Sequence, residues 1–349
     1  MTENTLPYWR QHYTARTYLA SWHIEPLIKH HEECWTFRVT AQCQWDTGER
    51  KPVGEIMWEP DLYSLYGEDG TRNIHYEQTV FGSAERDYGQ LKQLFGTPQK
   101  LLIPTNRKKL ARFAAFQVMK VPVMFSSYRW LLGKIIDGLD QRGMSQSESM
   151  VLEVVNKHGV KTQHSVDEAR PYLKGNGFEH FSVPRLHTMH SLIKRMKLLL
   201  VTFSSADKLI TSATPAIIWG PHYWTYLSPF NDENSRLVMP LSPDLLAVFN
   251  WKEEVVITGD ARRAMHANIL QVRNARNMLV GTSETIASDI LNNALTVPEA
   301  TASEGFRGHL DPVHPDVLKA SPSFMEAFGP NIKSKLFEVW PDGRAIEVA

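Results

Sequence analysis

The chain has almost no cysteine: two residues in 349, Cys34 and Cys43. So small a supply excludes a disulfide framework and fits a reducing compartment, so a cytoplasmic protein is expected. An excess of either charge is also missing. Lysine plus arginine equals aspartate plus glutamate at 38 each, and the pI is about 7.3. That balance withholds the basic signature of a dedicated nucleic-acid binder, although a local basic patch is compatible with it. Long apolar runs are absent too. "KLLLVTF" and "PAIIW" are too short to span a bilayer. The opening "MTENTLPYWRQHY" lacks the basic region and apolar core of a secretory signal. No membrane partner is expected. Nor is there a P-loop, GxGxxG, HExxH, GxSxG or CxxC pair, so the usual nucleotide, zinc-protease and serine-hydrolase markers are missing.

What is present is an ordinary globular composition, 42% hydrophobic and 22% charged, with enough apolar material for a substantial core. The stretch "CWTFRVTAQCQW" alternates as a strand over residues 33–46, putting Trp35, Phe37, Val39, Ala41, Cys43 and Trp45 on one face. Cys34 has the other parity, so the two thiols point apart and a zinc site shared with His23, His30 and His31 would need a break in the strand. "DTGERKP" reads as the turn that ends it, and residues 52–75 as loops and short strands.

Helical spacing runs from Tyr76 to Leu94, with Glu77 and Glu85 two turns apart. It runs again through "NRKKLARFAAFQVMKVP", which ends near Pro122 because the residue before proline is steered away from helix. "SSYRWLLGKIIDGL" and "SQSESMVLEVVNKHG" read as further helices. So does "VPRLHTMHSLIKRMK", capped by Ser182 and carrying His187, His190 and Lys194 along one edge. The period then changes. "LLLVTFSS", "KLITSATPAIIW" and "RLVMPLSP" suggest a small, mostly antiparallel sheet. Asp260 caps a helix through "ARRAMHANILQVRNARNML", followed by the short strand "LVG". The expected fold is α+β: a helical middle region packed with that sheet. One integrated domain over residues 1–284 is expected, with a Pro-, Ser- and Ala-rich, loosely structured extension over 285–349.

Candidate functional residues stand out by position. "RQHYTARTYL", Arg10 to Leu19, gathers two tyrosines, a histidine and two arginines where chain ends are usually frayed. In a helical segment His12 and Arg16 share a face, with Tyr13 beside them. The imidazole titrates near neutral pH and the guanidinium grips phosphate or carboxylate in a fork. On the wheel of the last helix Asn268 falls within the apolar face formed by Ala261, Ala264, Met265, Val272, Ala275 and Leu279. A buried amide must find partners, so Asn268 is either a staple to the sheet or the floor of a pocket. Glu77 and Glu85 are either a solvated face or an acid–base or metal pair with His12. Lys120, beside Gln117, either neutralises a phosphate or sits favourably at a helix C-terminus.

Set in order, these pieces resemble the DUF4238 family of bacterial and fungal proteins, which typically opens with His-Tyr-x-Pro-x-x-Tyr-Leu. His12, Tyr13, Tyr18 and Leu19 match, with Ala15 in place of proline. The resemblance continues through the helix bearing Glu77 and Glu85, and through Gln117, Lys120 and Pro122, a Gln-x-x-Arg-x-Pro pattern with lysine for arginine. It goes on through "TSATP" (Thr211 to Pro215), "PLSP" (Pro240 to Pro243) and Asn268. Ala213 stands where the family usually has Asp. The family has no assigned reaction, and its scattered occurrence hints at mobile or conflict-related genes.

The expectation drawn from all this is a hydrolytic, phosphodiester- or nucleic-acid-directed effector of a toxin or phage-defence type system. His12, Arg16, Glu85 and Lys120 would be its catalytic residues, and Tyr13, Gln117, Ser212 and Asn268 would bind substrate. A divalent metal is a candidate cofactor, with nucleic acid and a partner protein of the same system as candidate partners. The alternative is a non-catalytic binding or sensing protein with a recessed polar pocket.

Overall fold

The computed structural model describes residues 10–24, 32–38, 46–60, 62–63, 65–66, 72–73, 76–121, 151–155, 161–165, 186–187, 189–204, 208–219, 235–275, 278–284, 337–339 and 345–347. In chain order the elements begin with β1 (Arg10–His12), α1 (Arg16–Leu19), β2 (Glu33–Arg38), β3 (Glu49–Pro52), β4 (Trp58–Pro60), β5 (Leu65–Tyr66) and β6 (Arg72–Asn73). A π-helical turn, Tyr76–Phe81, leads into α2 (Gly82–Lys92), and α3 (Pro104–Met119) follows. Then come β7 (Val151–Val155), β8 (Lys161–Ser165), β9 (Lys197–Thr202), β10 (Thr211–Ser212), β11 (Ile217–Trp219), β12 (Arg236–Ser242), β13 (Leu245–Asn250), β14 (Val255–Thr258), α4 (Ala261–Asn274), β15 (Met278–Gly281), β16 (Phe337–Val339) and β17 (Ala345–Glu347). The architecture is α+β.

The chain divides into two compact units, and the division falls inside residues 1–284. The first is Met1–Val121, Ile193–Ile217 and Arg236–Ala302; the second is Pro122–Leu192, Ile218–Ser235 and Ser303–Ala349. In the second unit β7 and β8 pair antiparallel, Val151 opposite Ser165, and β16 pairs with β17. Val151–Val155 is thus a strand, not part of the helix expected there; its run of branched side chains favours extended backbone. The helix expected in "SSYRWLLGKIIDGL", and Ser182, the cap expected for the helix in "VPRLHTMHSLIKRMK", lie outside the described residues.

Besides the two-stranded pairs β1–β4 and β5–β6, two larger sheets build the first unit. One has the order β10-β15-β2-β3 and is antiparallel throughout. Glu49–Pro52 is strand rather than part of the turn expected over residues 46–52. Asp46 makes that possible: its carboxylate accepts the N–H groups of Arg38 at 2.9 Å and Gly48 at 3.1 Å. Gly48 has φ +81°, and a Cβ there would lie 2.6 Å from the Phe37 ring, so the position needs glycine on both counts. Within this unit the second sheet runs β12-β13-β9-β14, with β14 parallel to β9 and the other pairs antiparallel.

One helix closes both sheets. Asp260 caps α4 by accepting the Arg263 N–H at 2.9 Å, as expected from the sequence. Ala264 and Ala267, early in α4, pack on Val201, Phe203, Leu209, Val238, Leu246 and Val248 of the second sheet and its flanks. Ile269 and Val272, further along, pack with Phe37, Ile210 and Leu279 of the first. The helix stops at Asn274, so Leu279 belongs to β15 rather than to the helix face expected to hold it, and Ala261 is exposed. The second sheet is buried on its other side as well, through Leu198, Leu200, Leu237, Met239 and Phe249. Both of its faces being dry, β13 (LLAVFN) reads as a continuous apolar run with no alternation.

An aromatic layer holds the amino-terminal segment against this body. Tyr18 is fully buried between Trp22, Tyr88 and Phe113, at ring distances of 4.8, 5.7 and 6.0 Å. Its hydroxyl donates to the Pro240 carbonyl at 2.7 Å and meets Thr211 Oγ1, also at 2.7 Å. Tyr88 donates to the Leu241 carbonyl at 2.6 Å. The β12–β13 register shifts between Pro240 and Ser242. Proline inside a strand is tolerated at such a bulge, and the interrupted ladder leaves carbonyls for the two tyrosines.

Candidate functional site

The segment Arg10 to Trp22 is fixed before it reaches any chemistry. β1 pairs with β4, His12 opposite Trp58, and the Tyr13 N–H donates to the Met57 carbonyl at 3.0 Å. Met57 is in the left-handed region, φ 52°, the one non-glycine residue there among the described residues. Gln11 is buried and accepts the Tyr63 backbone N–H. Thr14 donates to the Ala213 carbonyl at 3.3 Å. These bonds aim His12 at the carboxyl end of α3, where Lys120 caps the helix.

Lys120 is 1% exposed. Its ammonium donates to Glu85 Oε1 at 2.6 Å and lies 5.0 Å from the Phe81 ring centre and 5.5 Å from that of Tyr63. A buried ammonium needs such partners: a carboxylate to balance the charge and ring faces to replace water. The Tyr63 hydroxyl completes the arrangement by donating to the Lys120 carbonyl.

Around this pair stand three side chains with buried polar atoms that have no partner. The His12 ring bonds the Gly54 backbone, which leaves Nε2 buried and unpartnered. Burial, then the positive charge of Lys120, holds its pKa below the ordinary 6.5, against the opposing pull of Glu85. The imidazole is therefore neutral at pH 7, with Nδ1–H donated to Gly54 and a lone pair on Nε2. Glu77 Oε2 is likewise buried and unpartnered. Burial raises the Glu77 pKa above the ordinary 4.5; Lys120 opposes this and Glu85 adds to it. Gln117 is 0% exposed, and neither its Oε1 nor its Nε2 has a partner. It sits one turn before Lys120 on α3.

Arg16 lies at the exposed edge. Its guanidinium approaches Gly54, where a Cβ would be 3.8 Å from Cζ, and its charge is felt by His12. The structure thus brings His12, Arg16, Glu85 and Lys120 together. Glu85 pairs with Lys120 rather than orienting the histidine, a task that falls to Gly54. Tyr13 is buried beside the group, 4% exposed. Sequence reasoning missed Gly54 and Tyr63, which come from turns that no period marks, and Phe81, an apolar residue of the helical stretch from Tyr76 that nothing local distinguishes. Glu77 was singled out as a partner for His12, but nothing in the sequence shows its unpartnered oxygen.

Ser212 and Asn268 are placed differently. Asn268 accepts the Ile210 N–H at 2.9 Å and donates to the Lys208 carbonyl at 3.0 Å, so its amide is fully used as a staple. Ser212 donates to Gln271 Oε1 at 2.8 Å and accepts the Thr214 N–H at 3.1 Å, while Gln271 donates to the Pro215 carbonyl at 3.0 Å. Both were expected to bind substrate; in the fold their polar atoms hold the loop around Ala213 to α4. That loop reaches the amino-terminal segment through Thr14 and Tyr18.

No three His, Cys, Asp or Glu side chains among the described residues group as a metal site. Cys34 is free and buried, its thiol pushed up to about 12, chiefly by burial; Cys43 lies outside the described residues. Also among the described residues, no helix is long and apolar enough to cross a membrane. His187, Lys194 and Arg195 are exposed.

The family described as "Protein of unknown function (DUF4238)" matches residues 10–285. The chain belongs to this family. The match begins at β1 and ends just after β15, so it takes in every element that builds the DUF4238 site described above. No curated protein and no solved structure matches the chain.

Proposed function

We propose that this site hydrolyses a phosphodiester, with nucleic acid as the substrate class. The observation that carries the reading is the opposite displacement of two neighbours of Lys120: His12 is held neutral and Glu77 is pushed towards its protonated form. Both shifts favour the neutral form, which leaves His12 a lone pair to act as general base and Glu77 a proton to give as general acid. His12 Nε2 takes the proton from an attacking water as its oxygen bonds to phosphorus. The bond from phosphorus to the leaving oxygen breaks, and that oxygen receives the proton of Glu77. Arg16, exposed beside Gly54, holds the phosphate charge. Burial first, then the charge of Lys120 against the opposing pull of Glu85, keeps the imidazole unprotonated.

His12→Ala is expected to lower hydrolysis of bis(p-nitrophenyl) phosphate and of a single-stranded RNA by at least 100-fold, with Tm within about 2 °C of wild type. Loss of folding, or retained hydrolysis, overturns the reading. A toxin or defence setting is tested separately, by whether expression slows growth of the host and His12→Ala relieves it.

The burial of Lys120, wholly engaged by Glu85, favours a second reading as a non-catalytic binding protein. Hydrolysis gained in Ala213→Asp would turn that reading down.

A further inference from the structure

Among the described residues, Gln117 is the one side chain with two buried polar atoms that have no partner. A primary amide carries one acceptor and two donors, and burying them unbonded costs on the order of 1–3 kcal/mol. Asn250, Asn268 and Gln271, also buried, all bond backbone or side-chain partners. Gln117, equally buried, bonds nothing. On the α3 wheel it lies beside Lys120 and Phe113, on the side of the helix whose Phe113 faces Tyr18 and Tyr88. Two other side chains with an unpartnered buried atom, His12 at Nε2 and Glu77 at Oε2, feel the charge of Lys120, which follows Gln117 by three residues.

The chemistry of these groups selects a ligand. Lys120 already has its counter-ion in Glu85, so the inner part of the site offers no uncompensated positive charge. The His12 lone pair and the Glu77 carboxyl add no positive charge beside Gln117 to hold an anion there. Gln117 presents an acceptor and a donor side by side in one plane, and the complement of that edge is a planar group with a donor and an acceptor side by side: a cis-amide, or lactam. A pyrimidine or guanine ring carries such an edge.

We propose that Gln117 is the floor of a binding site for a neutral lactam edge, as found on a nucleobase, with the adjoining phosphate outward at Arg16. The placing of the phosphate rests on the hydrolase reading; the lactam site does not. Exposure follows this direction, from exposed Arg16, through half-buried His12 and Glu77, to buried Gln117.

The test uses the full chain and three probes: uracil, 1,3-dimethyluracil, in which both ring donors are blocked, and 2-pyrrolidinone, a saturated lactam. Calorimetric titration is expected to show uracil binding that is at least tenfold weaker for the dimethylated ring. In Gln117→Leu, a variant close in volume that removes only the polar edge, uracil binding is lost. Gln117→Glu gives a second variant should the first misfold, and is expected to weaken uracil at least tenfold above pH 6. Binding of uracil but not 2-pyrrolidinone marks the ligand as a base; equal binding of both supports a general lactam site. No binding of either lactam, or uracil binding unchanged by Gln117→Leu, overturns the proposal and leaves Gln117 solvated by structural water only. Hydrolysis lost in His12→Ala with no lactam binding would retain the phosphodiester reading and discard this one. Lactam binding with no hydrolysis would do the reverse.

Discussion

Two buried polar groups lie within one compact unit, and they differ in a single respect. Around Ala213 the side chains of Ser212, Asn268 and Gln271 form bonds that leave no polar atom idle. Around Lys120, His12, Glu77 and Gln117 each keep at least one buried atom unbonded. Both groups draw on the family's ordered motifs, and both would look alike in a list of buried polar residues. Satisfaction separates them. A complete set of bonds stabilises the fold and leaves nothing to offer a ligand, whereas an incomplete set costs stability and keeps its capacity in reserve.

Substitutions sharpen this contrast, and the largest effect is expected at the ion pair. Glu85→Ala strands a charge on the buried Lys120 and should cost about 3–5 kcal/mol in urea unfolding. The double change Glu85→Leu with Lys120→Met should recover most of that loss; a double variant as unstable as the single one would mean the pair is not what the alanine removed. Next, Asn268→Leu leaves the Ile210 N–H and the Lys208 carbonyl unpaired, and a loss of about 2 kcal/mol is expected. Gln117→Leu should move the other way, gaining about 1 kcal/mol, because the amide it removes bonds nothing. If both leucine variants destabilise alike, the distinction between the two groups collapses.

The smallest effect is a slope against pH. The Glu77 pKa is raised in the folded state, so the unfolded chain ionises first as pH rises through the ordinary 4.5. Glu77 thus contributes stability at low pH that is lost between 4.5 and its higher folded value. Glu77→Gln should flatten the decline in urea midpoint across that interval. The pKa of His12 is lowered, so His12 acts in a different window: stability falls as pH drops below 6.5. His12→Gln should remove that part of the curve and leave the Glu77 part in place.

Much of this was legible from residues alone, and the exceptions have physical reasons. α3, α4, its Asp260 cap and β15 were readable because amphipathic spacing and capping chemistry are local. β13 and β14 were not anticipated: β13 is buried on both faces and so shows no alternation, and β14 is a short edge strand. β7 was mistaken for a helix because its five residues were read as part of the longer segment "SQSESMVLEVVNKHG". In the site, His12, Arg16, Glu85 and Lys120 were identifiable as polar residues in unlikely places, and Asn268 as an amide on an apolar face. Which of these atoms would end up bonded depends on Gly54, Tyr63, Lys208 and Ile210. These lie outside regular helices and strands and are brought in by the tertiary fold.

α4 has a mechanical consequence. It is the shared keystone of two separate sheets, alanines against one and branched aliphatics against the other, so neither sheet can come loose without baring the helix face that seals its neighbour. Heat should therefore dismantle this body in one step rather than shed it sheet by sheet.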